Sequence, residues 1–149
     1  TDFGYTSGTF MSPKMWWEFC YPSITANVQA AHNAGLLFIQ HACGNNWGIL
    51  DGFVKAGVDA YQSVQATATM DIAKVKERVQ GQIAVWGGVQ VEHLVDGTPD
   101  EVRQDVRLAM ERVKPGGGFV LGSTHSIAIG TRYDCFMAML DEFVKLRDY

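Results

Sequence analysis

Cysteine is scarce in this chain: Cys20, Cys43 and Cys135 are the only three, an odd number and far apart. That excludes a disulfide framework and points to a reducing compartment, the cytoplasm. Long apolar runs are also missing. None approaches the ~20 residues a helix needs to cross a bilayer, and no signal-peptide pattern opens the sequence. Positive charge is outnumbered, with 12 Lys and Arg against 16 Asp and Glu and a net charge of −4. Neither nucleic acid nor an anionic membrane surface is a natural partner for that balance. There is no linker or low-complexity stretch, so residues 1–149 read as one domain. What remains is an ordinary globular composition, 47% hydrophobic and 19% charged.

Helices alternate with short apolar strands. Ser12-Pro13 predicts a helix start, with Gly35 as the stop and a break at Pro22. Residues 36–41 predict a buried strand, and residues 46–56 a helix stopped by Gly57 with Ile49, Leu50, Phe53 and Val54 on one face. Residues 58–64 predict a strand, residues 70–79 a helix, and residues 83–86 a strand closed by Gly87-Gly88. Thr98-Pro99-Asp100-Glu101 predicts a capping box. The helix it heads turns Val102, Val106, Met110 and Val113 inward. Residues 119–121 predict another strand and residues 133–146 the last helix, while Asp2-Phe3-Gly4-Tyr5 reads as the tail of a fifth strand. Repeated βα units give a parallel sheet with helical cover. The α/β architecture is therefore either a small open sheet or the second half of a (β/α)8 TIM barrel.

Loops after strands carry the polar residues, as both architectures require. Those ends hold Asp2, Tyr5 and Ser7; His41, Cys43 and Asn45; Gln62 and Gln65; Gln90; and His125 with Ser126. His41 and Cys43 are two apart on an extended chain, so they aim at one place. A thiolate beside an imidazole suits zinc; the alternative is a buried histidine bonded to a carbonyl and a small packed cysteine. Catalytic zinc takes three protein ligands. His125 is the best third candidate and Cys135, in the opening turn of a helix, a weaker one. His32 reads as a helix-end residue, His93 has no evident partner, and Cys20 with Trp16-Trp17 reads as packing. Gly116-Gly117-Gly118 precedes a strand, whereas a phosphate loop follows one. No triad order or carboxylate pair points to a hydrolase.

Several motifs occur in a telling order. They are Asp2-Phe3-Gly4-Tyr5, Met11-Ser12-Pro13, His41-x-Cys43-Gly44-Asn45, Gly57-Val58-Asp59-Ala60, Trp86-Gly87-Gly88, Gly97-Thr98-Pro99-Asp100-Glu101-Val102 and Gly116-Gly117-Gly118-Phe119. Together they resemble the C-terminal half of the uroporphyrinogen decarboxylase superfamily, which also holds cobalamin-dependent methyltransferases. The resemblance implies half of an eight-stranded barrel, completed by a missing N-terminal half or a second copy.

In the methyltransferase branch, a His-x-Cys pair and a later cysteine bind zinc. The matching pair here is His41 and Cys43. The later position falls in Thr124-His125-Ser126, so His125 would be the third ligand. This branch implies methyl transfer from a corrinoid such as methylcobalamin, free or on a corrinoid protein, to a small thiol. Tyr5, Ser7, Gln65, Trp86 and Gln90 would line the binding pocket. The alternative is metal-free decarboxylation of uroporphyrinogen or a related tetrapyrrole, with His125 matching a late histidine and Ser7 or Thr6 near a serine position. A third reading is a non-catalytic small-molecule-binding fragment.

Overall fold

The chain opens, in a computed structural model that describes residues 2–148, with a two-stranded antiparallel ribbon. Its strands are β1 (Gly4–Tyr5) and β2 (Gly8–Thr9). Gly4 pairs with Thr9 and Tyr5 with Gly8. The segment read as a fifth strand thus folds back on itself and lies outside the parallel sheet.

Ser12 caps α1 (Pro13–Phe19) by accepting the Met15 N–H, with proline in the first turn. The next helix, α2, is Tyr21–Asn33. The break falls at Cys20 rather than at Pro22, because a proline in the first turn of a helix sacrifices no internal hydrogen bond.

Four parallel strands follow in sequence order, each leading to helix. They are β3 (Ile39–His41), then α3 (Leu50–Ala56); β4 (Ala60–Val64), then α4 (Ile72–Val79); and β5 (Ala84–Val89), then α5 (Val91–Val95) and α6 (Pro99–Val113). The last strand, β6 (Phe119–Ser123), leads to α7 (Tyr133–Leu146). Ile39 pairs with Ala60, Ala60 with Ala84, and Val85 with Phe119. Four consecutive βα units are half of a (β/α)8 barrel.

The strand lengths differ from the sequence pattern. β5 continues through Gly87-Gly88, which pair with Leu121 and Gly122 of β6. Those glycines read as a stop, yet interstrand hydrogen bonds carry the strand past them. Residues 36–41 depart further: Leu37 is 78% exposed and Ile39 49%. Both precede or lie on the outer strand β3, and a half barrel leaves its outer edges and concave face uncovered.

The convex face carries the core. Tyr61, Val85 and Val89 are fully buried beneath helices. Trp16 of α1 is also fully buried and stacks edge-on against Phe3 and Phe53. Both halves of the Thr98–Glu101 capping box are formed, and Val102, Val106, Met110 and Val113 are buried as their spacing predicts.

An ion triplet joins α6 to α7. The buried Glu142 accepts from Arg107 Nε at 2.6 Å and from Lys145 Nζ at 2.9 Å. The Arg107 bond, then the Lys145 bond, hold its carboxyl below the ordinary 4.5. A depressed native pKa adds stability above the unfolded value, and that stability is lost as pH falls through the native one. Glu142→Gln is expected to cost about 1 kcal/mol at neutral pH, after allowance for solvent around the open Arg107. In paired thermal melts the gap should be full above pH 4.5 and close as the pH falls below it.

Candidate metal centre

The centre is built where β3 gives way to its loop. Alternation along the strand sends His41 and Cys43 to the same side. The turn between them and α3 depends on Gly44, whose φ is +84°. A Cβ there would stand 2.2 Å from the Gly4 carbonyl oxygen, so only glycine lets the β1–β2 ribbon come this close. That approach brings Asp2 into the site, where its Oδ1 accepts the Cys43 N–H at 2.9 Å. The loop is pinned beneath by Asn46, whose Nδ2 faces the carbonyls of Ala42, Cys43 and Gly44 and the Tyr61 hydroxyl. Gln65 Oε1 accepts the Gly44 N–H at 3.1 Å.

The neighbouring strand supplies the support. β4 shifts register between Gln62 and Val64, and Ser63 takes a left-handed φ of 78°. Adjacent residues of a regular strand point to opposite faces, but this irregularity sends both Gln62 and Ser63 toward the centre. Gln62 Oε1 accepts from His41 Nδ1. That bond leaves the lone pair of His41 on Nε2, 3.3 Å from Cys43 Sγ and 3.5 Å from Asp2 Oδ1. Ser63 Oγ donates to the Thr124 carbonyl at 2.7 Å and lies 2.9 Å from Cys43 Sγ. One buried hydroxyl therefore couples the Cys43 loop to the loop that carries His125.

His125 follows β6, and its ring meets the His41 ring edge-on with centroids 5.5 Å apart. One ligand atom each from His41, Cys43 and His125 lie within 4.8 Å of one another. Ligand atoms of a tetrahedral zinc stand roughly 3.3–3.7 Å apart, given Zn–N near 2.0 Å and Zn–S near 2.3 Å. The donor set fits that ion, and the Gln62 bond is the outer-shell partner that a ligating histidine usually has. Burial pushes the Cys43 thiol up; the Ser63 hydrogen bond works against this and the Asp2 carboxylate adds to it. The Cys43 N–H chiefly holds Asp2 below the usual carboxylate value.

A cavity of about 480 Å³, lined in part by His41 and His125, opens on the concave face. Trp86 lines it and lies across Gly122, where a Cβ would meet the indole Nε1 at 2.4 Å.

Of the other residues singled out from the sequence, Ser126 lines this cavity, while Tyr5, Ser7, Gln65 and Gln90 lie outside it. Tyr5 is exposed and packs on Phe10, and Ser7 is exposed in the ribbon turn. Gln65 acts on the Gly44 backbone. Gln90 starts α5 and turns toward Asp105 and His93 beside a separate 150 Å³ hollow. His93 does have a partner: its Nδ1 lies 2.8 Å from Asp105 Oδ2, tying α5 to α6. His32 bonds Asp59 at 2.7 Å at the end of α2, and Cys135 is buried against the Gly97 carbonyl. Asp2, gathered from the sequence with the other strand-end polar groups, does reach the cluster, whereas Ser63 went unrecognised. No local signal marks a non-glycine residue for the left-handed conformation that Ser63 adopts.

No helix among the described residues is long and apolar enough to cross a membrane. No curated protein sequence matches the chain. Among solved structures, a methyltransferase from Methanosarcina mazei is similar with a TM-score of 0.80 and 22% identity, over 97% of this chain and 41% of that one. The chain spans about two fifths of that structure's length, and the likeness speaks to fold alone. The family model for uroporphyrinogen decarboxylase (URO-D) matches residues 1–146. With nearly the whole sequence matched, the chain belongs to the uroporphyrinogen decarboxylase family.

Proposed function

We propose that this chain carries the thiol-activating part of a zinc-dependent methyltransferase, which moves a methyl group from a corrinoid to a thiol acceptor. The convergence of His41, Cys43 and His125 within 4.8 Å supports this reading above all. Zinc held there would supply Lewis acidity that makes a substrate thiol a thiolate at neutral pH. Gln62 fixes the tautomer of His41, so that Nε2 faces the centre. Ser63 holds Cys43 at a set distance from the His125 loop. Trp86 and its apolar neighbours form one flank, where a completed barrel would exclude water and strengthen electrostatic interactions at the acceptor sulfur. A barrel of this family needs further strands, from a missing N-terminal half or a second copy. The corrinoid, free or on a partner protein, would reach the open mouth.

Tetrapyrrole decarboxylation is the second reading, favoured by the name of the family model that matches. A substrate rich in carboxylates calls for cationic side chains; the described residues lining the 480 Å³ cavity include neither lysine nor arginine, so they would come largely from the missing half. Metal content separates the two readings. Mass spectrometry of the purified protein, kept away from chelators, is expected to find about one zinc per chain, absent from His41→Ala. Folded protein without zinc would favour decarboxylation.

A further inference from the structure

Ser63 is fully buried and holds a left-handed φ of 78°, a conformation that is costly for a residue with a Cβ. That backbone places one hydroxyl between two segments. Oγ lies 2.9 Å from Cys43 Sγ and 2.7 Å from the Thr124 carbonyl oxygen. A hydroxyl has one proton to donate, and a carbonyl can only accept. The Ser63 proton therefore points to Thr124. Sulfur and oxygen at 2.9 Å need a hydrogen between them, and it must then come from the Cys43 thiol. The three groups form a chain with one direction: Cys43 S–H to Ser63 O–H to the Thr124 carbonyl.

Ligation at Cys43 reverses that chain. A cysteine sulfur bound to a metal has given up its proton and can only accept. Unless the Ser63 proton turns to it, two lone-pair atoms are left in contact. A charged acceptor also outcompetes a neutral carbonyl. The buried Thr124 carbonyl then loses its donor, which is unfavourable until it finds another. The rest of Thr124 is anchored. Its N–H donates to the Val89 carbonyl at 2.8 Å, and its Oγ1 accepts the Val91 N–H at 3.1 Å. The His125 N–H reaches Ser123 Oγ only at 3.4 Å. The peptide joining Thr124 to His125 is therefore the part left able to turn.

We propose that Ser63 is a positioning residue that passes ligation at Cys43 on to His125, by turning its proton from the Thr124 carbonyl to the Cys43 sulfur and so freeing the 124–125 peptide. This rests on the zinc methyltransferase reading above. The thiol proton of Cys43 leaves to solvent when the sulfur is ligated. At Ser63 only the direction of its hydrogen bond changes. Capture of a metal by the His41–Cys43 pair would thereby release the third ligand to complete the set.

The test is magnetic resonance on protein labelled with carbon-13 at threonine carbonyls and nitrogen-15 at histidine. Thr124 is the one threonine followed by a histidine, so a single carbonyl–amide signal reports the 124–125 peptide. Spectra are taken before and after zinc is added, and metal uptake is measured on the same samples. In the unsubstituted protein the Thr124 carbonyl is expected to shift upfield on zinc binding, as a carbonyl does when it loses a donor. In Ser63→Ala and Ser63→Gly it should already lie upfield without metal, and zinc should move it less than half as far. Glycine suits the left-handed φ, so Ser63→Gly removes the hydroxyl without adding strain. Zinc affinity should fall about tenfold in both variants. Zinc uptake with an unmoved Thr124 carbonyl, an equal shift in both variants, or unchanged affinity in Ser63→Gly overturns the coupling and leaves the metal site standing. No zinc uptake by folded unsubstituted protein overturns the methyltransferase reading, and the coupling with it.

Discussion

Cys43→Ser is expected to abolish zinc binding, lowering affinity by more than about 100-fold, because loss of even an outer-shell partner typically costs 10–100-fold. Serine is a near-isostere and can still bond Ser63, so the loop should keep its course. What it lacks is an ionisable soft donor: a hydroxyl stays protonated at neutral pH, whereas a coordinated thiol gives up its proton. The two imidazoles would then face the ion with no anionic ligand between them. Metal analysis should show the zinc content falling from about one per chain to near none. The melting temperature of the metal-free protein should barely change, which separates loss of a ligand from loss of fold. Stoichiometric zinc in folded Cys43→Ser would remove Cys43 from the ligand set and leave its bond to Ser63 as packing.

Trp16→Ala should be the most destabilising single change outside the centre, costing about 3–5 kcal/mol. The indole is fully buried and meets Phe3, Trp17, Tyr21 and Phe53 at ring-centroid distances of 5.6–6.3 Å. Its six-membered ring fills the space over Gly52, where a Cβ would come within 2.3 Å. Truncation would leave a void walled by the rigid helices α1 and α3, which can collapse only in part. At roughly 2–4 °C per kcal/mol for a chain of this size, the melting temperature should fall by about 6–20 °C. Trp16→Phe should cost far less. It keeps a ring in place and removes an indole N–H that is buried without a hydrogen-bond partner among the described residues. A drop for Trp16→Ala no larger than that for Trp16→Phe would show that the site relaxes and that α1 is only loosely docked.

The contrast between these two sites shows how far local pattern reaches. A strand's period of two was enough to pair His41 with Cys43. Capping chemistry placed the start of α6 at Thr98-Pro99, and helical spacing picked out its buried face. Such rules act over a few residues, and the sequence displays them directly. They failed where the deciding partner lay far along the chain. Asp105 sits 12 residues from His93, which the sequence left without a partner, and Ser63 lies 61 residues from the Thr124 carbonyl that it bonds.

The same division separates the fold from the centre. Alternating βα units and the motif order were readable from the chain and placed it in a barrel family. Only the tertiary structure decided that Asp2 reaches the Cys43 N–H, that the register shift in β4 turns Gln62 and Ser63 to one side, and that residues 36–39 lie largely in the open. An apolar residue is buried only when something covers it. A ligand is positioned only when another strand holds it in place. Both depend on contacts between distant segments, which periodicity and spacing along one strand do not encode.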